Sequence, residues 1–289
     1  MEETGERKLW DNTAHEKNVE NFYGRGVEKY GDFHNGYLNF GLWENGIDDF
    51  VAAAENLVHR MGTLLGLNQE SRLLDVACGM GTQDVYLSRH FAPQQIDGLD
   101  VTWKHIAHGR RRASEAGFAD RLHFHHGTAT AIPFPDASYT HVLSIEGPVH
   151  FNTREAFMRE AHRVLKPGGV FALSDYNLVR EPRNGFERFI LETTLKLWQV
   201  PKENADSVES YKMKLERSGF VNVRIQEVGE DVIPGYYREQ RRPETIRELT
   251  KIRGFVAGRL GGIIDIVLYK AYRMGLIGYI LVRAEKPQE

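Results

Sequence analysis

Leu73-Leu74-Asp75-Val76-Ala77-Cys78-Gly79-Met80-Gly81-Thr82 sets the architecture of this chain. Ser71 to Ala77 is mostly apolar and bounded by turn formers, the pattern of a strand covered on both faces of a parallel sheet. Gly79 and Gly81 carry no Cβ, so the backbone can turn sharply and a ligand can come close to it. Thr82 to His90 has helical spacing, which points free N–H groups at the loop. A strand, a glycine loop and a helix in this order make a crevice for an adenosine-bearing small molecule.

A second acid narrows the ligand. Gln95-Ile96-Asp97-Gly98-Leu99-Asp100-Val101 reads as the next strand and ends in Asp100, one strand–helix–strand unit after Asp75. An acid there can accept hydrogen bonds from both ribose hydroxyls. The dinucleotide fingerprint Gly-x-Gly-x-x-Gly fails at its third position, where Asp84 stands, so a pyrophosphate has poor access to the helix. Asp75, just ahead of the loop, repels a pyrophosphate and attracts an ammonium group. The pattern fits adenosine at one end of the ligand and an amino acid at the other.

Further strands are expected at Arg121–His126, Tyr139–Ile145, Val170–Tyr176, Val221–Val228 and Leu276–Ala284. Helices are expected at Phe50–Leu65, Trp103–Ala116, Thr153–Leu165, Asp206–Ser218 and from Pro243 to about Tyr272. Lys166-Pro167-Gly168-Gly169 reads as a turn before the fifth strand. The alternation predicts an α/β doubly wound sheet with helices on both faces. Ligands of such sheets lie beyond the carboxyl ends of the strands, where Asp75, Asp100, Thr128, Glu146 and Asp175 fall.

Four segments, Asp75 to Thr82, Gly98-Leu99-Asp100-Val101-Thr102, Ile132-Pro133-Phe134-Pro135-Asp136 and Arg163 to Gly169, resemble successive motifs of the class I S-adenosylmethionine-dependent methyltransferases. The likeness runs from about Tyr23 to Asp175. It is nearest to the branch that methylates polyketides, sugars, tocopherols and sterols. It implies a Rossmann-like seven-stranded sheet with an N-terminal helical lid (1–65), a cofactor-binding core (71–176) and a substrate-roofing remainder (177–289), all in one methyltransferase domain. The family joins its last two strands by a short loop; here Gly229 to Gly275 intervenes, and we expect it to roof the substrate pocket.

The resemblance assigns S-adenosyl-L-methionine as cofactor and implies its contacts residue by residue. Asp75 and the backbones of Gly79 and Gly81 hold the methionine end, Asp100 clamps the ribose, and Val101 packs on the adenine. Thr128 and Ala129 stand where the family has Asp-Ala beside the adenine amino group, so one charge-assisted hydrogen bond is lost. Tyr23 reaches the cofactor carboxylate, and Asn39-Phe40-Gly41-Leu42-Trp43 forms a lid. At the strand-four loop His150 is the candidate general base, oriented by Asp175. Glu146 stands where lipid-directed members carry an acid that stabilises a cationic intermediate. Blander readings remain: His150 caps the helix near Thr153 or bonds a lid residue, Asp175 is a structural acid, and Glu146 binds the cofactor or lid rather than the substrate.

The composition agrees with a compact enzyme, at 41% hydrophobic and 27% charged residues with a net charge of −3. That charge gives no attraction to nucleic acid, and no base-flipping Pro-Pro-Tyr motif follows strand four. The lone Cys78 excludes an intramolecular disulfide. The acidic start lacks a signal-peptide core, so a cytoplasmic protein is expected. His123 and His125 share a strand face but do not complete a metal shell, so no metal is expected. A basic run from Arg238 to Arg259 beside Ile263, Ile264 and Ile266 leaves peripheral membrane contact conceivable, whereas Gly261, Gly262 and Asp265 argue against a transmembrane helix. The expected reaction is methyl transfer to a hydroxyl of a small or lipid-like apolar acceptor. The alternatives are carbon methylation of a terpenoid or sterol-like alkene and a non-catalytic S-adenosylmethionine-binding module.

Overall fold

The computed structural model describes residues 13–24, 27 and 33–289. Its strands are β1 (Arg72–Val76), β2 (Gln95–Asp100), β3 (Leu122–His126), β4 (Tyr139–Ile145), β5 (Leu165–Leu178), β6 (Val221–Glu227) and β7 (Ile277–Glu285). They form one sheet in the order β3-β2-β1-β4-β5-β7-β6. β1 to β5 run parallel, and β7 lies antiparallel between β5 and β6. The helices are α1 (Ala14–Gly24), α2 (Phe50–Leu65), α3 (Thr82–His90), α4 (Trp103–Glu115), α5 (Arg154–Val164), α6 (Gly185–Leu197), α7 (Val208–Arg217), α8 (Gly229–Gln240), α9 (Pro243–Arg253) and α10 (Phe255–Arg273). The seven-stranded Rossmann-like sheet read from the sequence is the one observed.

Local signals explain most boundaries. The Asp49 side chain accepts the N–H of Ala52 and so caps α2, and Gly66 ends it at φ 73°. Phe50, Ala53, Leu57, Val58 and Met61 recur at helical spacing along its buried stripe. Gly81 opens α3 at φ 73°, and a Cβ there would meet the Phe124 ring at 2.6 Å and the Gly109 Cα at 2.9 Å. Glycine is therefore required at this point by packing as well as by backbone angle. At Gly79, φ is 56° but a Cβ would meet nothing nearer than Leu38 at 3.2 Å, so the turn alone asks for glycine.

Two expectations need correction. The stretch from Pro243 is not one helix, and the helical region already begins at Gly229. α8 ends before Pro243, which cannot continue it, and Gly254 at φ 83° separates α9 from α10. Lys166 to Gly169 is not a separate turn but the start of β5, where Gly168 donates its N–H to the carbonyl of Lys286 at 3.1 Å. The acidic N-terminal residues and the side chains of Arg253 and Arg259 lie outside the described residues.

Behind the sheet, Arg154 is the largest fully buried side chain. Its Nε donates to Asp175 at 2.7 Å, and its guanidinium also reaches Asp206, the Asn204 carbonyl and the Tyr176 carbonyl. Tyr211 donates its hydroxyl to Asp175 at 2.9 Å. Removing one partner of such a pair strands the other charge in a dry interior. Arg154→Met is expected to lower the unfolding free energy by about 3–5 kcal/mol in urea titration; an unchanged midpoint would show that the network contributes nothing to stability.

Candidate active site

A cavity of about 770 Å3 lies along the carboxyl ends of β3, β2, β1, β4 and β5, within the range of about 300–1,000 Å3 typical of small-molecule sites. It passes the point where β1 has β2 on one side and β4 on the other, the switch point at which such sheets bind ligands. Val101, Thr128 and Ala129 line one end. Gly79 and Asp100 line the middle, and Glu146, His150 and Tyr176 follow. α8, α9 and α10 add Tyr236, Leu249 and Ile264 to the wall.

Asp100 is buried and ionised. Burial alone would raise its pKa, but His105 and the N–H groups of Thr102 and Gly79 outweigh burial and hold the carboxyl below the usual range. Gly79 N–H reaches Oδ2 at 3.0 Å and Thr102 N–H reaches Oδ1 at 2.8 Å. A carboxylate has about four acceptor positions; His105 and the two amides take three, and the one left, on Oδ2, suits a ribose hydroxyl. The residues at this part of the cavity therefore fit a nucleoside.

Asp75 stands elsewhere than the sequence suggested. Its side chain is wholly buried and does not line the cavity. Oδ2 accepts the amide of Gln83 at 2.5 Å, and Gln83 is the side chain that faces the cavity. Asp75 also stands beside Asp84, which is equally buried. Burial pushes Asp75 up to about 6 and Asp84 well above the carboxylate range, so the pair retains a proton near neutrality. Gly81 likewise sits behind the wall and shapes the turn.

Asp175 does not orient His150. Two successive residues of β5, Ser174 and Asp175, explain why: successive side chains point to opposite faces. Ser174 bonds Tyr279 on the cavity side, and Asp175 faces the other way, into Arg154 and Tyr211. The partner of His150 is Tyr23, whose hydroxyl lies 2.7 Å from Nε2. Burial lowers the His150 pKa to about 4, against the pull of the Gln199 and Trp198 backbone, so the imidazole is neutral at pH 7. Burial and the Glu146 and Asp100 carboxyls push the Tyr23 pKa up, so the phenol keeps its proton and donates it to the Nε2 lone pair. His150 does not cap α5; Thr153 does, by accepting the N–H of Ala156.

Glu146 adopts a left-handed backbone at φ 56°. Its Oε1 accepts the Phe40 N–H at 2.8 Å and the Tyr279 hydroxyl at 2.7 Å. Phe40 stacks on Tyr236 with ring centroids 3.6 Å apart, and Trp43 donates Nε1–H to the Phe40 carbonyl. The aromatic segment is thus fixed to the central strand and to the α8 roof. One residue that sequence reasoning missed also lines the cavity: Glu16, on α1, which accepts the Thr128 hydroxyl. Thr13-x-x-Glu16 matches a capping box and was a legible signal for a helix start. Near strand three, Asp97 takes His125 at 3.0 Å and His123 at 3.7 Å. Among the described residues no cluster suited to a metal ion is found.

Residues 73–169 match the family described as a methyltransferase domain. The erythromycin 3''-O-methyltransferase of Saccharopolyspora erythraea is 32% identical over 201 residues, 68% of this chain and 66% of that protein. The 27-O-demethylrifamycin SV methyltransferase of Amycolatopsis mediterranei is 27% identical over 94% of this chain and 99% of its own length. The geranyl diphosphate C-methyltransferase of Streptomyces coelicolor A3(2), solved with S-adenosyl-L-homocysteine, superposes with a TM-score of 0.73 at 18% identity, covering 96% of this chain and 100% of that one; it shows a shared fold. With the glycine turn, the ionised acid at the end of β2 and the crevice between them already in place, these likenesses establish that the chain belongs to the class I S-adenosylmethionine-dependent methyltransferases of small molecules.

Proposed function

We propose that the chain methylates a hydroxyl group on an uncharged, largely apolar acceptor. One observation carries this reading: the described residues lining the cavity include no lysine or arginine, whereas the carboxyl groups of Glu16, Asp100 and Asp265 stand in the wall and Glu146 there is held mostly protonated. An anionic group about 4 Å from an ionised carboxylate costs on the order of 4 kcal/mol at an effective dielectric constant near 20. Among the described residues, no lysine or arginine in the wall offsets that cost for a carboxylate or a diphosphate. The acceptor side is instead rich in rings and branched chains, among them Phe40, Phe50, Tyr236 and Ile264. Two buried donors on that wall, the Tyr176 hydroxyl and Trp198 Nε1–H, lack a protein partner. Buried polar groups are ordinarily paired, so these two suit oxygens of the acceptor.

S-adenosylmethionine, when bound, supplies a methyl group activated on a sulfonium sulfur. Asp100 and the Gly79 turn position the nucleoside, and the Phe40–Trp43 segment with α8 excludes water, so alignment provides most of the rate. As the acceptor oxygen bonds to the methyl carbon, the carbon–sulfur bond breaks and the hydroxyl loses its proton. Tyr23 takes that proton while passing its own to His150 Nε2, which is neutral and free to accept it. Glu146 is less suited to the carbon-methylation alternative. Burial raises its pKa to about 8, against the Phe40 and Tyr279 hydrogen bonds that lower it. It is then mostly uncharged at pH 7 and a weak counter-ion for a carbocation. The named activities of the two relatives, both methyltransferases of hydroxyl-bearing natural products by their titles, support oxygen as the target. Among the described residues no helix is long and apolar enough to cross a membrane.

Three measurements test this. Labelled methyl from the donor is expected on neutral macrolide, polyketide or sugar hydroxyls, and preferential labelling of a fatty-acid carboxylate or a prenyl diphosphate would overturn the electrostatic argument. His150→Ala should lower kcat on the order of 10²-fold, as loss of general-base assistance does, with donor affinity retained. Since His150 must be neutral to act, wild-type kcat should hold level as pH falls below 7 and drop only as pH approaches 4. A limb centred near 6.5 would contradict the buried, neutral imidazole. Glu146→Gln addresses stability: the folded state holds the Glu146 proton up to about pH 8, the unfolded chain only to about 4.5. The wild-type contribution is therefore full below pH 4.5 and lost as pH rises through 8. In thermal melts the variant should show a shallower decline between those limits, and an identical slope would refute the raised pKa.

A further inference from the structure

The N-terminal helix α1 places a carboxylate at the cavity end formed by β2 and β3. Glu16 is 8% exposed and lines the wall beside Val101, Thr128 and Ala129. Its Oε2 accepts the Thr13 N–H at 2.8 Å, and its own N–H reaches Thr13 Oγ1 at 3.2 Å, a reciprocal cap on α1. Its Oε1 accepts the Thr128 hydroxyl. Among the described residues no lysine, arginine or histidine forms an ion pair with it. A carboxylate can take about four hydrogen bonds, and a buried one is costly until its lone pairs are matched. Two positions on Glu16 are filled by the protein, and the side that meets the cavity calls for a hydrogen-bond donor.

We propose that Glu16 accepts the exocyclic amino group of adenine, so that the lid helix, not the sheet, supplies the acid that reads the base. The inference rests on the donor-binding reading above, in which Asp100 takes the ribose and the base reaches the ends of β2 and β3. Adenine presents an N–H2 donor at its six position, whereas a six-oxo purine presents an acceptor that would confront the carboxylate. The sequence leaves a threonine, Thr128, where the sheet would otherwise provide an acid. That threonine's hydroxyl donates to Glu16 and holds the carboxylate in place from the end of the sheet.

The same helix reaches the other side of the site. His15 Nε2 donates to the His150 carbonyl at 2.8 Å, and Tyr23 holds His150 Nε2. Glu16 and Tyr23 are seven residues apart, about 10 Å along a helix rising 1.5 Å per residue. One helix thus carries both the carboxylate that faces the base and the two side chains that hold His150.

Calorimetric titration of the full chain with S-adenosylhomocysteine and with its six-oxo counterpart, S-inosylhomocysteine, tests the assignment. Wild-type protein should bind the amino compound at least tenfold more tightly. Glu16→Gln, which keeps the size of the side chain but can turn an N–H2 group towards the base, should reduce that ratio to within about twofold of one. Thr13→Ala removes the helix cap and leaves the carboxylate, so its ratio should equal the wild-type value even if both affinities fall. If Glu16→Gln weakens both ligands equally, Glu16 serves only the lid and the proposal is overturned. Wild-type protein that binds neither compound overturns the donor-site reading itself, a different result from an unchanged ratio.

Discussion

The Glu146 carboxyl joins three parts of the chain that no local signal would bring together. One oxygen accepts from Phe40 in the N-terminal segment and from Tyr279 in β7, while the residue itself directly follows β4. Tyr279 passes the link on to Ser174 of β5. The lid, the central parallel strand and the antiparallel edge thereby share one buried hydrogen-bond junction. Its position at the mouth of the switch point gives the cavity a closed acceptor side. The cost is a carboxyl held in apolar surroundings with a left-handed backbone, a combination that persists where surrounding structure over-determines it.

Charge is distributed unevenly around this junction. Cations and anions meet behind the sheet, where Arg154 neutralises Asp175 and Asp206. In front of it, the cavity wall holds acids alone among charged side chains of the described residues. Burial silences some of these acids by retaining their protons, as at Glu146, and hydrogen-bond donors keep Asp100 ionised. The same residue type thus serves as an uncharged staple in one place and as a charged nucleoside clamp in another. What separates the two is the number of N–H donors converging on each.

The parts of the site carried by strand ends were legible early. Gly79 and Asp100 occupy positions that the strand–loop–helix pattern dictates, and Glu146 and His150 fall on the loop after β4 for the same topological reason. Asp175 and Asp75 lie off the cavity because a strand end fixes a residue's height in the sheet but not the face its side chain occupies. A single residue of phase reverses that face. Asp175 meets Arg154, 21 positions earlier, and Asp75 meets Gln83 and Asp84 on the following helix.

Local rules carried the architecture of this protein. Apolar runs of strand length, amphipathic helices and glycines at forced turns depend on neighbours within a few residues, and they sufficed for the doubly wound sheet and the nucleoside crevice, while the resemblance of four motifs supplied the seven strands and the family. Packing settled the chemistry inside that frame. Glu16 and Thr128 lie 112 positions apart, Tyr23 and His150 127 apart, and Phe40 and Glu146 106 apart. Such pairs arise only when the lid closes over the sheet, because hydrogen bonds act over about 3 Å and no sequence interval encodes that contact.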